Sequence, residues 1–264
     1  MQTPHFLNAS KERYLTAFLL IGVVAVVIIL DIFFITWAFM GVFYFLAFAE
    51  ANKLFKLQKL SLYPIAVAIW LAAYFMTDPE DLVFLALLVY GSYLAFKNRV
   101  SFAESSEEQK GIRNLLVFLY PTAPMLFMLS LYKDYGMAAL FWLIVIVAAT
   151  DTAAFFTGKA VGKTPFSPAS PNKTLEGVLG GVLVATIIGS FMGVTFLSFY
   201  VALIISICTS VASVFGDLFE SSLKRHAGVK DSGSLLPGHG GALDRLDGYL
   251  FGAIAMVVLL RGLY

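Results

Sequence analysis

Long apolar runs separated by short polar connections dominate the chain. Stretches long enough, or nearly long enough, to cross a bilayer fall at 14–30, 32–49, 62–76, 82–96, 114–132, 136–157, 177–194, 199–215 and 246–262. That pattern predicts about nine transmembrane helices. The third and fourth runs are shorter than the roughly 20 residues a spanning helix prefers, so a tilted or re-entrant pair is an alternative there. Strands of a transmembrane barrel alternate in polarity, whereas runs such as Leu19 to Leu30 are apolar on every side and satisfy their backbone in lipid only as helices. The expected fold class is all-α, a polytopic integral membrane protein.

Composition strengthens this reading. The 264 residues are 59% hydrophobic and 13% charged, with a mean hydropathy of +0.84, which excludes both an ordinary soluble domain and intrinsic disorder. The net charge of +1 gives no reason to expect a nucleic-acid partner. The lone Cys208 has no partner for an intrachain disulfide, and His5, His226 and His239 are too scattered for a zinc motif.

Charge distribution is more informative than its sum. With nine alternating spans, every one of the 18 Lys and Arg residues except Lys133 and Arg261 falls on one side. This is the positive-inside pattern, with the amino terminus cytoplasmic and the carboxy terminus outside. Lys11 and Arg13 precede the first span without an A-x-A-like cleavage site, so that span reads as an anchor and not as a removable signal peptide. No repeat of fixed period is visible. Residues 1–113 read as N-terminal transmembrane helices and 114–264 as a catalytic transmembrane region, with the connections becoming chemically richer near residue 150.

The longest polar stretch runs from Gly216 to Gly248. Its first part is helical by pattern and sets Asp217, Glu220 or Ser221, and Lys224 on one face. Glycines from Gly228 to Gly241 then break the helix, and a new one starts with Asp244 and Asp247 in its first turn. Carboxylates, the cations Lys224, Arg225, Lys230 and Arg245, and glycine-exposed N–H groups suit Mg²⁺ and the phosphates it accompanies. Phosphoryl or nucleotidyl transfer is the chemistry such a set serves. A second connection, from Gly158 to Gly177, repeats the theme with Lys173, Thr174 and Glu176 on a segment stiffened by Pro165, Pro168 and Pro171. It lacks Walker A spacing. Asp151 lies some 10 Å inside the sixth span, where a carboxylate needs a polar cavity and a cation or metal. Asp31, Glu50, Asp78, Glu80 and Asp81 read as solvated turn and helix-end residues.

The segment from Ser222 to Asp247 resembles the signature of phosphatidate cytidylyltransferases, the CDP-diacylglycerol synthases. Lys224, Arg225, Lys230, Asp231, Pro237, His239, Gly240, Gly241, Asp244, Arg245 and Asp247 all fit that pattern, as do Gly216-Asp217-Leu218, Glu220-Ser221, Asp151-Thr152 and the segment Ser170 to Gly177. These motifs cover roughly the last 115 residues. The resemblance implies transfer of CMP from CTP to phosphatidic acid, a membrane lipid, with Mg²⁺ required and the active site at the cytoplasmic face. Asp217 and Asp244 are then expected to hold the metal, with Lys173, Lys224, Arg225, Lys230 and Arg245 neutralising phosphate charge. Asp151, Thr174, Glu220, Asp231, His239, Gly240, Gly241 and Asp247 complete the expected substrate site. A bacterial inner (plasma) membrane is the expected location, and a homodimer is compatible with the sequence. Alternatives are a CTP-dependent polyprenol or phytol kinase, a cytidylyltransferase for an archaeol-type lipid and, more remotely, a transporter.

Overall fold

A computed structural model describes residues 5–56, 62–98, 106–235 and 240–263. Its elements are α1 (His5–Leu30), α2 (Phe33–Leu54), α3 (Tyr63–Phe75), α4 (Asp81–Asn98), α5 (Ser106–Val161), β1 (Pro165–Ser167), β2 (Ser170–Thr174), α6 (Leu175–Gly193), α7 (Phe199–Ala227) and α8 (Leu243–Leu263). Helices Phe33–Leu54, Leu175–Gly193, Phe199–Ala227 and Leu243–Leu263 and the stretch Leu115–Val161 are each long and apolar enough to cross a membrane, while Phe18–Leu30 and Tyr63–Phe75 are shorter apolar helices. The molecule is an all-α membrane protein carrying one small antiparallel hairpin, β1 with β2, where the prolines suggested only an extended segment.

Helix α5 contains both the fifth and the sixth predicted segments, and it reverses at Gly136. That residue has φ 75° and ψ −175°, a backbone state that a side chain disfavours and glycine tolerates. On the limb before Gly136, Tyr120 meets Phe219 of α7 and Tyr132 donates to Asp31 at 2.8 Å. On the limb after it, Trp142 Nε1 donates to the Gly189 carbonyl of α6 at 2.8 Å and Thr150 pairs with Ser210 of α7 at 2.7 Å. The chain therefore runs to one end of the bundle and returns, bringing Asp151 back beside α7.

Close packing of the second limb against α6 rests on small residues. A Cβ at Gly181 would lie 2.6 Å from the Thr150 carbonyl, and one at Gly193 would lie 2.6 Å from the Trp142 ring. In a bilayer, where lipid is as apolar as Leu, such backbone proximity is the main source of helix association. The N-terminal helices join this unit through Tyr44, whose hydroxyl pairs with Thr122 at 2.9 Å, while the stacked rings of Trp37 and Trp70 hold α2 to α3.

The end of the bundle remote from Asp151 holds the two basic residues set apart in the sequence. Lys133 donates to the carbonyls of Ala73 (2.9 Å), Tyr74 (3.0 Å) and Met76 at the C-terminus of α3. Arg261 pairs with Asp78 (3.1 Å), Asp134 (2.7 Å) and Glu80. Glu80, expected to be solvated, is only 3% exposed, because Arg261 gives its charge a partner and lets the α3–α4 connection pack down. Replacing Arg261 with Gln strands that carboxylate and is expected to cost about 2 kcal/mol. Thermal melting in detergent checks this, and an unshifted midpoint would show that the cluster holds nothing together.

Candidate active site

Four helix ends meet at the other end of the bundle: the C-termini of α5 and α7 and the N-termini of α6 and α8. The α7 face is amphipathic in its last turns, and Ser221 donates to Asp217 at 3.2 Å while Lys224 pairs with Glu220 at 2.7 Å. Both contacts are i, i+4 pairs on one helix. Lys224 also pairs with Asp244 in the first turn of α8 at 2.6 Å. Glu220 is completely buried and Lys224 is 8% exposed, so this cation and its two carboxylates form a desolvated triad. Glu220 Oε1 and the Tyr120 hydroxyl are buried without a hydrogen-bond partner among the described residues.

Helices α7 and α8 approach closely enough for this triad because Gly216 packs on the Asp247 carbonyl and Gly248 on Ser213 and Val147. Asp244 is held from the loop side too: its Oδ2 accepts the N–H of Gly241 (2.7 Å) and of Ser232 (2.9 Å). Gly240, at φ 81°, would collide with that carboxylate if it carried a Cβ.

A second group surrounds an open cleft of about 510 Å³ lined by Asp151, Phe155, Lys159, Asn172, Lys173, Thr174 and Asp217, among others. Lys173 on β2 forms an ion pair with Asp217 of α7. Thr174 is the N-cap of α6 and accepts the Gly177 N–H at 3.2 Å, so its hydroxyl has a local structural role as well as a place on the cleft wall. Glu176 folds the connection back by accepting from the N–H groups of Lys163 and Thr164 and from the Thr164 hydroxyl, at 3.0, 3.1 and 2.8 Å. Asp151 is exposed to the cleft, which explains how a carboxylate is tolerated inside an apolar helix.

The two groups act on one another electrostatically. Asp151 feels Lys173, Asp217 and Arg245, Asp247 feels Asp217, Asp151 and Lys224, and Glu220 feels Asp247, Lys224 and Asp244. In this linked set five carboxylates (Asp151, Asp217, Glu220, Asp244, Asp247) face three cations (Lys173, Lys224, Arg245). Among the described residues no three Asp, Glu, His or Cys side chains already converge as a metal cage. Mg²⁺ does not need one, since it usually takes one or two carboxylates and fills its octahedron with water and phosphate oxygens. Hard oxygen donors of this kind fit that ion.

Other sequence candidates lie at the rim. Arg225 is exposed and donates to the carbonyls of Ala169 (3.4 Å) and Val229 (3.1 Å), tying the hairpin to the end of α7. Lys230 and Asp231 are exposed on the loop after α7. His239 lies outside the described residues. Glu50, expected at a solvated helix end, is instead 6% exposed and accepts from the backbone N–H of Ala242 and Leu243 and from the Ser232 hydroxyl. The available signal was its place as the one acidic residue in the run from Phe33 to Leu54.

Lys224→Met would leave Glu220 and Asp244 facing each other with no cation. It is expected to lower stability by about 3–5 kcal/mol, and adding Glu220→Gln in the same chain should recover most of the loss. Melting of the single and double variants in detergent measures this, and an unshifted single variant would show that the triad contributes nothing to folding.

The model of a cytidylyltransferase family matches residues 11–263. The chain is 46% identical over 254 residues to a phosphatidate cytidylyltransferase of Helicobacter pylori, covering 95% of this chain and 92% of that protein. It is 40% identical over 155 residues to the Thermotoga maritima protein of the same name, covering 55% of this chain and 57% of the relative. For the Bacillus subtilis protein of that name the figures are 43% over 122 residues, covering 45% of each.

Proposed function

The chain belongs to the cytidylyltransferase family, and from that premise we propose that it transfers CMP from CTP to phosphatidic acid, forming CDP-diacylglycerol and pyrophosphate. The observation that carries the proposal is the linked set of five carboxylates and three cations beside an open cleft at one end of an apolar bundle. Such a set binds phosphates and a divalent ion together, while the apolar exterior keeps a lipid substrate within reach.

In this reading a phosphatidate oxygen attacks the α-phosphorus of CTP in line, the new P–O bond forms, and the bond to the β,γ-diphosphate breaks. The nucleophile is already anionic, so no deep general base is required. Lys173, on the cleft wall, and Arg245 hold phosphate oxygens, Lys224 keeps Asp244 in place, and Arg225 and Lys230 draw the anionic nucleotide to the rim. Asp217 and Asp244 are the proposed Mg²⁺ holders. Three donors occupy Asp244 and leave one of about four lone-pair positions for a metal. Bound Mg²⁺ would neutralise charge developing on the phosphates. Asp151 and Asp247 orient the cations, and Thr174, Glu220, Asp231, His239, Gly240 and Gly241 shape the substrate site.

The distribution of Lys and Arg supports placing this end at the cytoplasmic face of a bacterial inner membrane, with nine crossings, the amino terminus inside and the carboxy terminus outside. A homodimer is compatible with this arrangement. Detergent-purified protein given radiolabelled CTP, phosphatidic acid and Mg²⁺ is expected to move label into the lipid phase and release pyrophosphate one for one, and EDTA should stop both. Asp217→Asn and Asp244→Asn are expected to cut turnover by about 10²-fold or more. Near-normal turnover in both would sink the metal assignment, and phosphate transfer to a prenol without pyrophosphate would identify a lipid kinase.

A further inference from the structure

Glu50 stands outside the catalytic half of the chain, on α2, yet its carboxylate is built into the loop that leads to Asp244. Its Oε1 accepts the Ala242 N–H at 3.0 Å, and its Oε2 accepts the Leu243 N–H at 2.8 Å and the Ser232 hydroxyl at 2.8 Å. The first two donors open α8, where N–H groups lack intrahelical partners and the helix dipole favours a negative charge. Glu50 therefore caps a helix from a different part of the chain.

The contact continues to the reacting groups. Ser232 donates to Glu50 through its hydroxyl and receives the Asp244 N–H on the same oxygen at 3.3 Å, while its own N–H donates to Asp244 Oδ2 at 2.9 Å. Asp244 then holds Lys224. A path of hydrogen bonds thus runs from Glu50 through Ser232 to Asp244 and Lys224. Two glycines of the loop are explained by the same carboxylate, since a Cβ at Gly233 would collide with Glu50 Oε1 and one at Gly241 with Glu50 Oε2.

We propose that Glu50 is a positioning residue for the transfer reaction, drawing the loop of Ser232 and Gly241 and the first turn of α8 together so that Asp244 meets Lys224. The inference rests on the transfer reading above. It assigns a role in the reaction to the N-terminal helices, from which the signature residues are absent.

The test is steady-state kinetics of full-length Glu50→Gln, Glu50→Asp and Ser232→Ala with CTP, phosphatidic acid and saturating Mg²⁺, alongside melting in detergent. An amide keeps the size of Glu50 but turns one acceptor into a donor facing N–H groups. Glu50→Gln is expected to lower kcat about 30-fold, the scale of a small misplacement of reacting groups. KM for CTP should stay within about threefold, because the nucleotide-facing cations are untouched. Glu50→Asp should restore part of kcat, and Ser232→Ala, which keeps the α8 cap and the backbone N–H bond to Asp244 but removes the hydroxyl between Glu50 and Asp244, should lower kcat in the same way. Normal kcat in Glu50→Gln overturns the inference, as does a rise in KM at unchanged kcat. If Glu50→Gln does not fold, Ser232→Ala decides, and its normal turnover overturns the inference. Absence of transfer by the unsubstituted protein sinks the transfer reading and this inference with it, whereas normal turnover in the variants of an active protein sinks the inference alone.

Discussion

Lys224 is a cation almost removed from water and shared by two carboxylates, Glu220 on its own helix and Asp244 on the next. Taking such ions out of water costs several kcal/mol each, and only close geometry with further hydrogen bonds offsets that cost. The demand fixes the register of α7 against α8. It accounts for glycine at positions 216 and 248, where the helices touch, and for the N–H groups of Gly241 and Ser232 that complete Asp244. Once α8 is seated, its first turns carry Arg245 and Asp247 to the neighbourhood of Asp151 and Asp217.

All the chemistry-bearing groups lie at one end because helices in lipid leave their unsatisfied backbone groups at their termini. Two of the termini meeting here are N-terminal, those of α6 and α8. Their N–H groups and dipoles favour anions, and Lys173 arrives on the hairpin strand that runs directly into α6. The hairpin is held by Glu176 on one side and by Arg225 on the other. The return limb of α5 brings Asp151 to the same place, which depends on the reversal at Gly136.

The helical class, most segment limits and the membership of the carboxylate and cation set were legible in the sequence, because apolar run length and i, i+4 spacing are local properties. Asp217, Ser221 and Lys224 do share a helix face, as seven residues of helix require. The fates of Glu50 and Glu80 were not legible. Each looks like an ordinary polar residue beside an apolar run, and each is buried by a partner more than 180 positions away. Nor did the sequence distinguish a stiff proline-rich connector from a hairpin, since what closes it is Glu176 reaching back to Lys163 and Thr164.

These distant pairings bear on how the two parts of the chain depend on each other. Near Asp244 and Lys224, Glu50 of α2 caps α8; at the far end, Arg261 at the close of α8 binds Asp78 and Glu80 between α3 and α4. Helix α8 is thus fastened to the N-terminal helices at both of its ends. The signature residues belong to the later half, but the family match extends over residues 11–263, in keeping with earlier helices that supply an acceptor to the loop before α8. The N–H groups of Ala242 and Leu243 at the start of α8 are buried inside the protein, where an unpaired donor is costly. The carboxylate that satisfies them comes from α2, and that helix thereby becomes part of the scaffold around Asp244.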